Sequence, residues 1–159
     1  MTIIKKVLFH TMFAEGKKDK PITTDLPHMS DDEIDRLSKW IEDIVAGSSH
    51  VGANKPSWIA NGVFVPGTEL YRDNNIWHYH CGPYLKQPGP PQQFTDNTLS
   101  VNNHGKTSGP VYHYAKKADS IILIGFSRLH VPFPLATSKK NPLRTRAYAL
   151  DQTVEVPGF

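Results

Sequence analysis

The sequence predicts an α+β fold: an antiparallel β-sheet of about four to five strands with an N-terminal helix packed on one face. Three observations carry that expectation. Ser30-Asp31-Asp32-Glu33 is a capping box opening an apolar stripe of helical period. Trp77-His78-Tyr79-His80-Cys81 alternates strictly, as a strand does. Two further strand-like runs, 109–115 and 120–127, are separated only by Lys116-Lys117-Ala118-Asp119, which reads as a hairpin turn.

In chain order, residues 2–13 are rich in Ile, Val and Phe and predict a strand. Ala14 to Pro27 is polar, contains two prolines and reads as a loop. The helix is expected over 31–46, with Met29 and Ile34 as a hydrophobic staple and Gly47 as its stop. Residues 47–68 are rich in Gly, Ser, Asn and Pro, with a short strand expected near Gly62-Val63-Phe64-Val65. Leu70-Tyr71-Arg72 can be extended, and Asp73-Asn74-Asn75 predicts a turn. Pro83 to Gly109 is a long insert with Pro88, Gly89, Pro90 and Pro91, and a polar tip, 102–106, expected to be mobile. The run 120–127 is apolar on both faces and should be a covered, central strand. Thr153 to Phe159 reads as an irregular or edge segment.

The 159 residues suit one domain: an N-terminal strand and helix over 1–48, a sheet and active-site region over 62–130 with the loop 83–109, and a basic segment over 131–159. The single cysteine, Cys81, excludes an intramolecular disulfide and fits a reducing compartment. No apolar run approaches the ~20 residues of a membrane span, and no signal peptide is legible. The expected location is cytoplasmic. Net charge is only +3, but its distribution is uneven. From Lys106 to Arg146 there are eight basic residues against one acid, Asp119, so an anion-facing surface belongs to the second half.

Chemistry concentrates on the 77–84 stretch. A strand there directs Trp77, Tyr79 and Cys81 toward a core and His78 and His80 outward, the two imidazoles about 7 Å apart at roughly 3.3 Å per residue. Arg128 and His130 follow the covered strand, where a rigid element can aim catalytic groups. Tyr84, His104 and Lys106 can close over the site from the insert, and Lys139, Arg144 and Arg146 supply positive charge from the tail. Tyr112 and Tyr114 lie opposite His113 and belong to the core.

Three stretches together resemble the RelE superfamily of bacterial toxins, most closely its YafO-type branch. They are Trp77-His78-Tyr79-His80, then Pro110-Val111-Tyr112-His113-Tyr114, then Ile121-Ile122-Leu123-Ile124-Gly125-Phe126-Ser127-Arg128-Leu129-His130. The likeness spans roughly residues 70–130. His78-Tyr79-His80 is similar to the His-x-His of that branch, and His130 to its late histidine. Where many members carry an arginine before the third strand, this chain has Ser108-Gly109-Pro110. The resemblance implies a metal-independent endoribonuclease that cleaves RNA, mRNA on the ribosome in particular, with an antitoxin protein as partner and no cofactor. It implies catalytic roles for His78, His80, Arg128 and His130: a base for the ribose 2′-OH, an acid for the leaving 5′-oxygen and a cation for the phosphate.

Two other classes fit the same residues. His78, His80 and either His113 or His130 form a zinc- or iron-like ligand set, giving a metal-dependent enzyme. A non-enzymatic binding or immunity protein would leave the histidines incidental.

Overall fold

Helix α2 (Asp31–Ala46) is the element against which one face of the sheet is built. The Ser30 hydroxyl accepts from the Glu33 backbone N–H at 3.2 Å, and the Glu33 carboxylate accepts from the Ser30 N–H at 2.8 Å. Gly47 closes the helix at φ 78°, a left-handed conformation that costs glycine little. Between these caps, Leu37, Trp40, Ile41 and Ile44 are buried. Trp40 stacks on Tyr79 at 5.1 Å and tilts against Tyr112 at 4.8 Å. Met29 is buried, and Ile34 packs on the core cluster to which Met29 belongs, as the staple predicts.

A computed structural model describes residues 3–84, 94–129, 138 and 141–156. Among them, six strands form the main sheet: β1 (Lys6–His10), β2 (Asn54–Pro56), β5 (Ile76–His80), β6 (Val111–Lys116), β7 (Ser120–Ser127) and β8 (Thr153–Glu155). Their order is β2-β5-β6-β7-β1-β8. A separate hairpin pairs β3 (Ile59–Ala60) with β4 (Val63–Phe64). Helices α1 (Thr11–Ala14), α3 (Glu69–Asp73) and α4 (Leu143–Tyr148) complete the described elements, with a single 3-10 turn at Leu26–His28.

The all-antiparallel, four-to-five-stranded sheet is corrected to a mixed one. β7 is central, as its two apolar faces require, and the hairpin supplies β6 on one side. Its other neighbour is β1, which runs parallel to it with Val7 beside Ile121. Hydropathy reports that a strand is covered and is silent on the direction of its neighbours. The helical layer is also on both faces. α3 and α4 cover Ile76, Ala115, Ile122 and Ile124 opposite α2, so Leu70-Tyr71-Arg72 is helical rather than extended. The insert tip expected to be mobile is placed: Asn54 bridges to Asn102 and Gly52 to Lys106. The Thr153 region is an edge strand on β1.

One irregularity organises the α4 side. His113 pairs with Gly125 but Tyr114 pairs with Leu123, so Ile124 is an extra residue in β7. This bulge returns Phe126 to the α2 face, and it takes the Ile124 carbonyl out of the regular ladder. Arg146 Nη1 donates to that carbonyl at 2.8 Å, and Nη2 pairs with Asp25 Oδ1 at 2.8 Å. Asp25 Oδ2 accepts from the Lys18 N–H at 2.9 Å. Arg146 is only 1% exposed. Its expected role in binding substrate is therefore corrected: the guanidinium ties α4 to the bulge and to the 18–25 segment.

Removing one member of a buried ion pair strands the other. Arg146→Ala should lower unfolding free energy by about 3–5 kcal/mol, read as a lower urea midpoint. An unchanged midpoint would restore Arg146 to the surface role.

Candidate functional site

The pleat of β5 sorts its side chains as the alternation predicts. Tyr79 is buried against α2, Trp77 packs at the margin of the same cluster, and Cys81 is buried there too. His78 and His80 share the other face. They are not outward to solvent, however, being 8% and 5% exposed. The β3–β4 hairpin and the 101–104 loop rise around them, so the imidazoles are recessed in a cleft of about 780 Å³. The two ring centroids are 5.5 Å apart with planes at 65°, closer than the strand repeat because the rings lean together.

Each imidazole is held through Nδ1. His78 Nδ1 lies 2.9 Å from the Ser57 hydroxyl. Ser57 is itself tied to β5, its N–H donating to the Ile76 carbonyl at 3.0 Å. His80 Nδ1 lies 2.8 Å from the Ser108 carbonyl and 3.2 Å from the Ser108 amide. Both contacts engage the same nitrogen, as donor to the carbonyl in one tautomer and acceptor from the amide in the other, so the ring is anchored through Nδ1 in either. Ser108 is fixed in turn: its hydroxyl accepts from the Gly82 N–H at 3.0 Å and donates to the Pro110 carbonyl at 2.6 Å.

The cleft favours anions. Lys55 lines it and sits directly beside His78 in the β2–β5 register, hence on the same face. Asn61, Asn103 and His104 add polar groups, and no carboxylate is among the described lining residues. A cation beside two imidazoles, with no competing acid, is a setting for a phosphate or another oxyanion.

The 101–106 loop is seated by close backbone approach. A Cβ on Gly105 would fall 2.5 Å from the Ala53 nitrogen, and one on Gly52 would fall 2.0 Å from the His80 carbonyl oxygen. Only glycine permits the stacking of these segments. Asn54 locks them further, donating to the Leu99 and Ser100 carbonyls at 3.0 Å each and accepting from the Tyr114 hydroxyl at 2.5 Å.

The structure brings together His78, His80 and His104 of the residues expected to act. The others lie elsewhere. Arg128 is on the α2 side, opposite the histidines. Its Nε and Nη2 donate to the two Glu33 oxygens at 2.8 Å each, Nη1 donates to Asp19 at 3.3 Å and Nη2 to the His28 carbonyl at 3.2 Å. The phosphate grip expected of it is corrected: its fork is engaged by carboxylates, and this contact holds the Glu33 carboxyl below its usual range. Tyr84 lies behind the β5 backbone, donating to the His80 carbonyl at 2.7 Å, with Lys106 Nζ 5.9 Å from its ring centre. Neither lines the cleft. Arg144 is on α4 and is not among the residues that line the cleft. His130 and Lys139 fall outside the described residues.

Ser57, Ser108 and Lys55 were not singled out from the sequence. Asn54-Lys55-Pro56 has no strand character, so nothing pointed to Lys55 as a neighbour of His78. His113, considered as a metal ligand, is buried with Nε2 2.8 Å from the Ser127 hydroxyl. Among the described residues, no group of three or more His, Cys, Asp or Glu side chains could hold a metal ion. No described helix is long and apolar enough to cross a membrane. Comparison with protein-family models, curated proteins and solved structures finds no match to the chain.

Gly105→Ala should push the loop off Ala53 and lower stability by about 1–3 kcal/mol, with new protease sensitivity near residues 101–106. Equal stability and an unchanged digest would contradict the close-packing account. A second expectation concerns pH. Burial pushes the His50 imidazole down to about 4, while an unfolded chain keeps it near the ordinary value of about 6.5. The unfolded state thus binds the extra proton first. His50's contribution is complete above pH 6.5 and is lost as pH falls toward 4, by roughly 3 kcal/mol in total. His50→Phe should flatten that part of a stability–pH curve; an identical slope would refute the assignment.

Proposed function

We propose that the chain is an endoribonuclease of the RelE-like toxin class, with His78 and His80 as its acid–base pair. The observation that supports this reading best is the pair itself: two imidazoles 5.5 Å apart, each anchored through Nδ1, in the wall of a cleft with no carboxylate among its described lining residues. Cleavage of this kind needs little beyond such groups. The 2′-oxygen attacks the adjacent phosphorus as one neutral imidazole takes its proton. The phosphorus–5′-oxygen bond breaks as the other ring, entering as imidazolium, gives its proton to the leaving oxygen. The products are a 2′,3′-cyclic phosphate and a 5′-hydroxyl. Lys55, not Arg128, is the cation placed to stabilise the charge that builds on phosphorus. His104, at the cleft mouth, is the substrate contact from the insert.

RNA is the substrate in this reading. The ribosome and a neutralising antitoxin belong to it as proposed partners, and the cytoplasm as its proposed location.

Purified protein should cleave single-stranded RNA in the presence of EDTA, with a bell-shaped pH–rate profile. His78→Ala and His80→Ala should each lower the rate by about 10²–10⁴-fold without unfolding the protein. Absence of cleavage by folded wild-type protein, free or with ribosomes, would sink the reading. Cleavage that needs added metal would favour the metal-dependent class instead.

A further inference from the structure

The cleft over His78 and His80 has two walls, and they match in chemistry. One is the β3–β4 hairpin, which lines the cleft with Ile59, Ala60, Asn61 and Gly62. The other is the loop that contributes Val101, Asn103 and His104. Each wall carries one large aliphatic side chain and, two residues on, one carboxamide: Ile59 with Asn61, and Val101 with Asn103. Ile59 is 40% exposed and Val101 53%, so both present apolar surface to the space they line. Both carboxamides are exposed as well.

Both walls are built to hold their shape. Ile59 pairs with Phe64 and Ala60 with Val63, leaving Asn61-Gly62 as a two-residue turn. Their φ values, 51° and 78°, are both positive, as the tight turn that matches strand twist requires. Asparagine and glycine adopt that backbone at least cost. The second wall is tied down by the Asn54–Asn102 bridge and by the close approach of Gly105 to Ala53. Asn61 and Asn103 are therefore held at fixed places around the imidazoles.

We infer that the two walls form a slot for one unpaired nucleobase, with the phosphate attached to it on Lys55 and the imidazoles, and that Asn61 and Asn103 decide which base is taken. A base is flat, apolar on its faces and polar at its edge. It calls for apolar side chains against the faces and fixed donors and acceptors in the plane. Ile59 and Val101 supply the first, and the two carboxamides, each both donor and acceptor, supply the second. Lys55 and the histidines account for a phosphate but for nothing on a base. A base still paired in a duplex has its edge occupied and its faces stacked, so it does not enter. The volume, about 780 Å³, lies within the ligand-site range of roughly 300–1,000 Å³. The inference rests on the proposed reading of the cleft as an RNA site, and adds the part of the substrate that the acid–base pair does not select.

The test is titration of the full chain, followed by fluorescence anisotropy, with labelled dinucleotides whose 2′-oxygens are methylated, so that they bind but cannot be cut. The base on either side of the phosphate is varied or left out. One base should bind at least tenfold more tightly than the abasic form, the low end for one good two-point contact. Asn61→Gly, which keeps the left-handed backbone of the turn, and Asn103→Ala should each narrow the spread among bases. Ile59→Ser combined with Val101→Ser should weaken every base toward the abasic value. Melting temperatures should be unchanged, since all four side chains are exposed. A duplex of the preferred sequence should not compete. Abasic binding equal to the best base, a duplex that competes equally, or a spread untouched in both Asn variants overturns the slot. So does the absence of any binding at millimolar concentration. Cleavage of the unmethylated RNA is scored separately. Base preference without cleavage retires the nuclease reading and keeps the slot, and cleavage without base preference does the reverse.

Discussion

The pleat of β5 is the constraint on which the rest of the molecule depends. Successive side chains must take opposite faces, and this strand places large aromatics on one and imidazoles on the other. The aromatic face is what α2 can cover, and Trp40 settles among Tyr79, Tyr112 and Tyr114. Once α2 is seated there, His78 and His80 cannot be core residues on that side. They need a separate, polar enclosure, which the β3–β4 hairpin, Lys55 and the 101–104 loop provide. A one-residue slip in register would bury the imidazoles under α2 and expose the tyrosines. Neighbours on both sides prevent it: Tyr79 faces Asn54 on β2 and Tyr112 on β6.

Polar groups in this fold divide into those that brace it and those that line space. Arg128 with Glu33, and Arg146 with Asp25, are braces, each joining segments distant in sequence. Ser57 and Ser108 brace the two histidines. Lys55 and His104 line the cleft. Arginine's planar fork suits it to bracing as well as to binding phosphate, so basic residues in the second half of the chain are not by themselves an anion-binding surface.

What was legible in the sequence follows from how local the determining physics is. The α2 caps, the 111–127 hairpin, the facing of Tyr79 against His78 and the core positions of Tyr112 and Tyr114 all depend on neighbours a few residues apart, and all are seen. The parallel pairing of β1 with β7 depends on a contact between residues more than a hundred apart, and nothing in either strand encodes it. Arg128 and Arg146 were misassigned for the same reason: their partners, Glu33 and Asp25, lie far back in the chain. The 102–106 tip looked mobile because its composition is polar. It is held by glycine contacts and by Asn54, which composition does not report. His78 and His80 were found because alternation and residue type coincide in five consecutive residues. Lys55 escaped because the strand that carries it is three residues long and ends in proline.

The central claim is that His78 and His80 act as one acid–base unit on RNA. Mapping RNA ends in cells after induction tests it most directly, comparing wild type with His78→Ala, His80→Ala and Arg128→Ala. The account predicts new 2′,3′-cyclic phosphate and 5′-hydroxyl ends at defined sites with wild type and their loss in both histidine variants. With Arg128→Ala they should persist in proportion to the folded protein that remains. RNA left intact by wild type, or ends that survive loss of either histidine, would contradict it.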